Sequence, residues 1–237
     1  MKKRFGVNED KIKIIHNGFL SKFTNFLPTK KRYSKKFCVG YLGRLDTPKG
    51  VHVFINSAKQ LPYYDFFIAG QGPLENVLKK LAKNYKNINF LGSVKDPLEF
   101  ISQMDTMVVP SIREPLGNSV IEAGYCKKSV IAANVDGIPE IIKDKHSGIL
   151  INPDKEITFR ETTSKSAPFP NVVVNSNQQL QEPKEIDTSK LCDSIVFLAS
   201  NLKIRESYGE NLNKSVIKKF NIENYYETLE NLYNQFK

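Results

Sequence analysis

Short, continuously apolar runs alternate along this chain with stretches in which apolar residues recur every three or four positions. Continuous apolar runs are typical of strands buried on both faces, and the spaced residues are typical of amphipathic helices. Strands that alternate with helices favour a parallel sheet. The chain is therefore predicted to be α/β, a doubly wound parallel sheet that binds ligands at the carboxyl ends of its strands. The six predicted strands are residues 37–43, 65–70, 88–91, 106–109, 130–133 and 148–151.

The pattern changes beyond the last predicted strand. Residues 155–187 are polar, contain three prolines and hold one short β-like run. They are too few for a core of their own, so we expect a polar excursion from the main domain. Helical spacing resumes at Leu191. These changes predict a basic N-terminal segment or interdomain junction over 1–32, a Rossmann-like domain over 33–220 and a C-terminal helix over 221–237.

The composition is that of a globular protein, since 40% of the 237 residues are hydrophobic and 25% are charged. No run of apolar residues is long enough for a membrane-spanning helix, and the polar sequence after the basic N-terminus is unlike a secretory signal. The cysteines are far apart, two histidines are isolated and the third lies in a predicted turn before Asn17-Gly18, so neither a disulfide framework nor a metal site is expected. A cytoplasmic protein is the resulting prediction. These residues are Cys38, Cys126, Cys192, His16, His52 and His146.

The net charge of +10 lies entirely in the first fifth of the chain. Residues 1–50 carry 13 Lys and Arg against 3 Asp and Glu, whereas the rest of the chain carries 22 of each sign. A basic region of this kind is typical of a nucleic-acid arm, of contact with anionic lipid or of the flank of a phosphate site. A solvated surface without a specific role is the fourth interpretation. Charge alone leaves all four open.

The turn after the first predicted strand carries a candidate anion site. Residues 43–50 read Gly-Arg-Leu-Asp-Thr-Pro-Lys-Gly, and a strand-to-helix turn presents backbone N–H groups and the positive end of a helix to a ligand. Arg44 can bind an anion bidentately and Lys49 as a point charge, so a diphosphate suits this turn. The residues match neither the Walker loop nor the Gly-x-Gly-x-x-Gly motif. A basic surface turn with a helix cap is the alternative.

A second candidate site follows the fourth predicted strand. Glu114 lies in the loop, Glu122 lies in the next predicted helix, and Gly117 between them lets a ligand approach the backbone. The N–H groups of residues 116–120 open that helix and form a second anion site. Carboxylates beside such amides suit a ligand that also presents hydroxyl groups, because carboxylates accept hydrogen bonds from sugars. A loop charge and a solvated helix face are the alternatives for the two glutamates.

These segments resemble the nucleotide-sugar-binding half of the group 1 retaining glycosyltransferases, which have the GT-B fold and a Glu-x(7)-Glu motif. Glu114 and Glu122 have that spacing. Single pieces of the match are weak, but six in the family's order make the resemblance specific, and together they cover roughly residues 12–220. The matching pieces are residues 14–18, 43–50, 68–73, 90–94, 110–123 and 130–140.

The resemblance implies a role for each matched residue. Arg44, Lys49 and Glu114 would be catalytic: the two cations would bind the donor diphosphate and stabilise it as the leaving group, and Glu114 would hold sugar hydroxyls. Glu122 would hold the ribose hydroxyls. The base would be read by backbone groups of the 92–94 loop, which leaves uracil or another base open. The implied donor-binding positions are Gly43, Gly70, Gly92, Ser93, Val94, Leu116, Gly117, Asn118, Ser119, Val120 and Glu122, with the amides of the 118–120 stretch on phosphate.

The resemblance also implies partners. A nucleotide-diphosphate sugar such as a UDP-sugar would be the donor, and a glycan or a lipid-linked sugar the acceptor, in cell-surface polysaccharide biosynthesis. Neither a metal nor another cofactor is expected if the two cations suffice to stabilise the diphosphate. Nucleic acid is not an expected partner. Peripheral contact with the inner face of the membrane is expected. The family has two Rossmann-like domains with the acceptor domain first, so we expect the N-terminal acceptor domain to be missing here. The alternatives are a nucleotide-sugar-binding module without turnover of its own and a sugar-nucleotide epimerase of the same fold.

Overall fold

The computed structural model describes residues 8, 12–13, 15–19, 33–175 and 177–235. Most of the predicted 1–32 segment therefore lies outside the described residues. The strands of the main sheet are β1 (Cys38–Leu42), β2 (Asp65–Ala69), β3 (Ile88–Gly92), β4 (Thr106–Val109), β5 (Ser129–Ala133) and β6 (Ile149–Ile151). Within the described ranges they form one parallel sheet in the order β3-β2-β1-β4-β5-β6. The predicted doubly wound parallel sheet is confirmed.

Helices cover both faces of this sheet. They are α1 (Val51–Gln60), α2 (Glu75–Ala82), α3 (Pro97–Ser102), α4 (Asn118–Tyr125), α5 (Ile138–Ile141), α6 (Thr188–Ser200), α7 (Leu202–Lys219) and α8 (Ile222–Asn234). None of these helices, which all lie in the described part of the chain, is both long and apolar enough to cross a bilayer. The last helix, α8, buries none of its described residues, and Tyr226 and Tyr233 on it are exposed.

Alternate strand residues point to opposite faces, and this places two apolar cores on the two sides of the sheet. On β2, for example, Phe66 and Ile68 pack in the core with α1, α2 and α6, whereas Phe67 and Ala69 pack in the core with α3, α4 and α7. Because both faces are covered, the strands are apolar throughout, which is the pattern seen in the sequence.

The polar excursion packs against the domain. It contains a small antiparallel pair, β7 (Val173–Val174) and β8 (Leu180–Gln181). Ile157, Val173 and Ile186 are buried, and the backbones of Lys155 and Glu185 exchange two hydrogen bonds of 3.0 and 2.8 Å. The two ends of the segment are thereby joined, and its middle lies near the carboxyl edge of the sheet.

Candidate functional site

A cleft of about 520 Å³ opens at the carboxyl ends of β1 and β4. The strand order reverses between these two neighbours, and in open α/β sheets the ligand crevice forms at that point. The cleft therefore lies where the fold leaves room for a ligand. Its lining residues are Asn17, Tyr41, Leu42, Gly43, Arg44, Lys49, Pro97, Val109, Ser111, Glu114, Pro115, Leu116, Gly117, Asn118, Ser119 and Glu122.

The turn that follows β1 is shaped by a buried aspartate and a glycine. Asp46 caps the 3-10 turn Thr47–Lys49 by accepting a 2.9 Å hydrogen bond from the Thr47 N–H. Gly50 follows with φ of 62°, and a Cβ there would lie 2.0 Å from the carbonyl oxygen of Pro110. Only glycine fits this close approach, which brings the turn after β1 against the loop after β4.

Backbone hydrogen bonds join these two loops directly. The carbonyl oxygen of Pro48 accepts from the N–H groups of Ile112 and Arg113 at 2.9 and 3.1 Å. Lys49 Nζ consequently reaches Glu114 Oε2 at 2.7 Å across the cleft. The residues predicted to bind diphosphate and sugar are therefore adjacent, and they pair with each other.

Glu114 is held from both its side chain and its backbone. Its carboxylate, which is largely buried, also accepts a 2.9 Å hydrogen bond from Ser111 Oγ. Its N–H donates to Asp136 Oδ2 at 2.9 Å, and its carbonyl oxygen accepts from the Gly137 N–H at 3.1 Å. The connection that follows β5 thus fixes the backbone of Glu114, and Lys49 and Ser111 hold its carboxylate.

The N-terminus of α4 forms one wall of the cleft. Gly117 precedes the helix, and no side chain in the described ranges caps it. Asn118 and Ser119 line the cleft. Val120 does not: its side chain is buried in the core, and its N–H donates to the Gly117 carbonyl oxygen at 2.9 Å. A phosphate contact of the Val120 amide would have to share this N–H with the Gly117 carbonyl oxygen, and it stays a prediction.

Glu122 lines the cleft one turn further along α4. Burial raises the pKa of its carboxyl to about 7, and no cation or hydrogen-bond donor of the described residues offsets this. The side chain is therefore poised between its neutral and charged forms near neutral pH, and it is available to accept hydrogen bonds from a ligand.

Two further residues complete the polar lining. The Tyr41 hydroxyl donates to the Arg44 carbonyl oxygen at 2.9 Å, and so fixes the turn after β1. Burial raises the pKa of Tyr41 well above its ordinary value, and the carboxylates of Glu114 and Asp46 raise it further, so the phenol stays neutral. Asn17 reaches the cleft from the N-terminal side. Neither was among the predicted site residues.

A second cavity of about 330 Å³ adjoins the cleft toward β2 and β3. The two cavities share Leu42, Gly43, Arg44 and Pro97. Besides the shared Gly43, three predicted donor-binding residues line this second cavity together with Gln71: Gly70, Ser93 and Val94. Gly92 lines neither cavity; it ends β3, and its carbonyl oxygen accepts from the Gly70 N–H at 2.7 Å.

The combined arrangement suits a bipartite polar ligand. Two cations and the exposed end of α4 favour an anion in the centre of the cleft, and Glu114 and Glu122 supply acceptors for hydroxyl groups on either side. Within the described ranges no group of three His, Cys, Asp or Glu side chains is placed to hold a metal ion. The groups that line the cleft offer a ligand electrostatic and hydrogen-bonding contacts.

One predicted feature is corrected outside the cleft. His52 is not isolated, because its Nε2 lies 2.6 Å from Glu185 Oε2, and its ring stacks on Phe159 with the centroids 4.8 Å apart. All three side chains belong to the contact between α1 and the polar excursion. Nothing local in the sequence points to this pair, since its members are 133 residues apart.

The comparison with known families decides the identity of the fold. The chain matches the family described as glycosyl transferases group 1 over residues 23–166, more than half of its length. The chain belongs to this family. The resemblance carried by the six motifs is thereby confirmed at the level of the family.

Some relatives of this group 1 chain match nearly all of it. It is 25% identical to the capsular polysaccharide biosynthesis glycosyltransferase CapM of Staphylococcus aureus over 98% of the chain and 53% of CapM. Among solved structures, Anabaena Alr3699/HepE in complex with UDP-glucose has a TM-score of 0.74 at 18% identity, covering 97% of this chain and 59% of that one. The C-terminal domain of the group 1 protein LpcC from Francisella tularensis has a TM-score of 0.61 at 24% identity.

The extent of these matches differs between the proteins. The alignment with LpcC covers 84% of this chain and 98% of that C-terminal domain. By contrast, the chain spans about half the length of the glycosyltransferases that it matches in sequence. The fold is thus that of a Rossmann-like domain of GT-B glycosyltransferases, and these relatives are longer than this chain.

Proposed function

We propose that this chain is the donor-binding part of a glycosyltransferase that moves a sugar from a nucleotide diphosphate to an acceptor glycan or lipid-linked sugar. The observation that carries the proposal is the cleft at the switch point, in which Arg44, Lys49, the start of α4 and the carboxylates of Glu114 and Glu122 converge. Membership in the group 1 family supports the same chemistry. A nucleotide sugar contains each group that this lining would contact.

In the proposed reaction the bond between the anomeric carbon and the β-phosphate oxygen breaks. The diphosphate leaves with the electron pair, the acceptor oxygen bonds to the same carbon with retention of configuration, and the acceptor proton passes to the departing diphosphate oxygen. Arg44, Lys49 and the α4 amides would stabilise the charge that develops on the diphosphate, which is the largest catalytic effect a preorganised site can supply. Glu114 would hold the sugar hydroxyls and so orient the anomeric carbon.

The nucleoside and the transferred sugar would lie on opposite sides of this centre, because the base is bonded to the ribose. Glu122 would accept hydrogen bonds from the ribose hydroxyls. The cavity lined by Gly70, Ser93 and Val94 adjoins the cleft through Gly43 and Arg44, and a planar base would occupy it. Because Alr3699/HepE was solved with UDP-glucose, UDP-sugars are the first donors to test.

Binding measurements with the purified chain test the proposal. UDP, a panel of UDP-sugars and uridine would be titrated by calorimetry into the wild type and into Arg44→Ala and Lys49→Ala. Each substitution is expected to weaken UDP by about 1.5–3 kcal/mol, the range for a charged hydrogen bond, while uridine is scarcely affected. Lys79→Ala, which removes an exposed cation of α2 away from the cleft, is the matched control. Equal losses for uridine and UDP would contradict the assignment of these cations to the diphosphate.

Two alternative functions lead to different results. A binding module would bind the nucleotide sugar without transferring it, and an epimerase would convert the sugar without an acceptor; a labelled-acceptor assay separates both from a transferase.

The basic surplus of residues 1–50 supports peripheral contact with an anionic membrane at the cytoplasmic face. Co-sedimentation with phosphatidylglycerol vesicles that is lost at high salt tests this contact.

A further inference from the structure

The 155–187 segment contacts the turn after β1 and the connection after β5, although none of its described residues lines the cleft. At the first point the Ala167 N–H donates to Asp46 Oδ1 at 2.9 Å, and Thr47 Oγ1 donates to the Ala167 carbonyl oxygen at 2.7 Å. At the second point the Val174 N–H donates to Asp136 Oδ1 at 2.9 Å, and the Asp136 N–H donates to the Val174 carbonyl oxygen at 2.8 Å. The segment therefore contacts an aspartate at each point.

In each aspartate, one carboxylate oxygen contacts the segment and the other contacts a residue of the cleft. Asp46 directs Oδ1 to Ala167 and Oδ2 to Arg44, whose Nε lies 3.1 Å away. Asp136 directs Oδ1 to Val174 and Oδ2 to the backbone N–H of Glu114 at 2.9 Å. The same bridge thus occurs twice, once beside each loop.

The segment is itself firmly held. Its two ends are joined by the backbone pair of Lys155 and Glu185. The Glu185 carboxylate then meets His52 on α1 at 2.6 Å and accepts from Thr158 Oγ1 at 2.8 Å. Burial raises the pKa of Glu185, but these hydrogen bonds and the charge of His52 outweigh it and hold the pKa below its ordinary value. The two ends of the segment are thereby fixed to each other and to α1.

We propose that Asp46 and Asp136 are positioning residues, through which the 155–187 segment sets the geometry of the two loops that contact the sugar donor. This inference rests on the proposed function, which assigns the Asp46 loop to the diphosphate and Glu114 to the sugar. Displacements of a few tenths of an ångström matter for such contacts, and hydrogen bonds to a carboxylate are strong enough to prevent them. The segment is therefore part of the donor site without touching the donor.

The two aspartates predict different losses in binding. Asp136→Ala releases Glu114, so the affinity for the tightest-binding UDP-sugar of the panel should fall about tenfold or more, while that for UDP changes by less than about twofold. Asp46→Ala releases the diphosphate loop, so the affinities for UDP and for the UDP-sugar should fall together by about tenfold. Calorimetry on the full chain measures both.

Matched controls separate positioning from a loss of fold. Asp144 likewise accepts from a backbone N–H, that of Leu150 at 2.8 Å, but lies outside the cleft; Asp144→Ala should leave both affinities unchanged. Asp136→Asn retains one of the two acceptors and should bind the UDP-sugar more tightly than Asp136→Ala. If Asp136→Ala weakens the affinities for UDP and for the UDP-sugar by the same factor, or weakens neither, the proposal is overturned.

Hydrogen exchange gives a test that needs no ligand. Asp136→Ala should speed the exchange of backbone amides in residues 110–117, whereas Asp144→Ala should not. Unchanged exchange in Asp136→Ala would overturn the bridge between the segment and the Glu114 loop. If the wild type binds neither UDP nor any UDP-sugar, the proposed function fails, and this exchange comparison still decides whether the bridge exists.

Discussion

Two side chains of the cleft, Lys49 and Glu114, contact each other and would also contact the proposed ligand. Lys49 and Glu114 pair with each other at 2.7 Å, and both are only partly accessible. Under the proposed function a phosphate draws Lys49 and sugar hydroxyls draw Glu114, so the ion pair competes with the ligand for both residues. The two glutamates of the cleft are therefore expected to respond differently to the same substitution.

Replacing each glutamate by glutamine tests this difference. Glu114→Gln should leave UDP binding unchanged or tighter, because it removes a carboxylate that competes for Lys49, and should weaken the UDP-sugar by about ten- to a hundredfold. Glu122→Gln should weaken UDP and the UDP-sugar by similar factors, since both contain ribose. Calorimetry on the two variants measures these ratios, and exchanged selectivities would reverse the two roles.

The raised pKa of Glu122 also predicts a dependence of stability on pH. Because its folded-state pKa of about 7 lies above the ordinary value of 4.5, the native state holds the proton more tightly than the unfolded state. Its contribution to stability is thus full below pH 4.5 and declines until the pH passes 7. Glu122→Gln stays neutral, so it should exceed the wild type in free energy of unfolding by up to about 3 kcal/mol at pH 8, and by little at pH 4.

Urea denaturation at several pH values measures this difference. Glu206→Gln, an exposed substitution on α7, is the control and should show no such rise between pH 4 and pH 8. A Glu122→Gln variant that is no more stable than the wild type at pH 8 would contradict a desolvated carboxylate. A stabilised variant that binds UDP more weakly would show that this residue serves the ligand at the expense of the fold.

The sequence predicts the place of a residue in the site when the residues that indicate it are close by along the chain. Arg44, Lys49 and Glu114 lie next to glycines and prolines that mark the turns, so a local motif identifies them. Asp46 had a local signal as well, because an aspartate before Thr-Pro is a typical helix cap. Asp136 had none, since its two partners lie 22 and 38 residues away along the chain.

At the scale of elements, the cleft depends on how α4 is supported from behind. Its wall residues project from one face, and α7 packs on the other at close range. Asn213 Nδ2 donates to the Gly124 carbonyl oxygen at 2.9 Å, and the side chain of Val216 lies against the same glycine. The position of α4 is therefore set in part by α7.

A glycine of α7 tests this packing. A Cβ at Gly209 would lie 2.0 Å from the carbonyl oxygen of Lys127, so Gly209→Ala forces α7 away from the end of α4. Alanine favours a helix over glycine by about 1 kcal/mol, but the clash should outweigh this, with a net loss of about 1–3 kcal/mol in the free energy of unfolding. Denaturation measures the loss, and the exposed Ser207→Ala on the same helix is the control. A stabilised Gly209→Ala would contradict the close contact.

At the scale of the whole molecule, the sheet was predictable and the packing of the excursion was not. Strand and helix periods are local, and both faces of the sheet are covered, so the pattern alone predicts the doubly wound fold. The 155–187 segment is held by polar pairs such as His52 with Glu185. Such pairs produce no periodic pattern in the sequence. Long-range polar contacts of this kind escape any local interpretation of the sequence.

The three cysteines allow the opening of the core to be measured by the reactivity of their thiols. All three lie in the described residues, and none forms a disulfide. Cys38 is fully buried on β1, and burial raises the pKa of Cys126 to about 12 and that of Cys192 to about 11. Because the thiolate is the reactive form, the native protein should react slowly with a disulfide reagent at pH 8 and all three thiols should react after unfolding in urea.

Labelling of Cys38 then reports the opening of the central strand, and ligand binding should suppress it. If UDP binds only the folded state, UDP at about 100 times its Kd should slow this labelling about a hundredfold, because the open form becomes rarer by that factor. Mass spectrometry of the labelled peptide measures the rate, and Lys49→Ala at the same UDP concentration should show much less slowing. Rapid labelling of native Cys38 would contradict its burial. Protection of Cys126 without protection of Cys38 would mean that UDP stabilises the end of α4 and not the sheet on which both loops of the cleft are built.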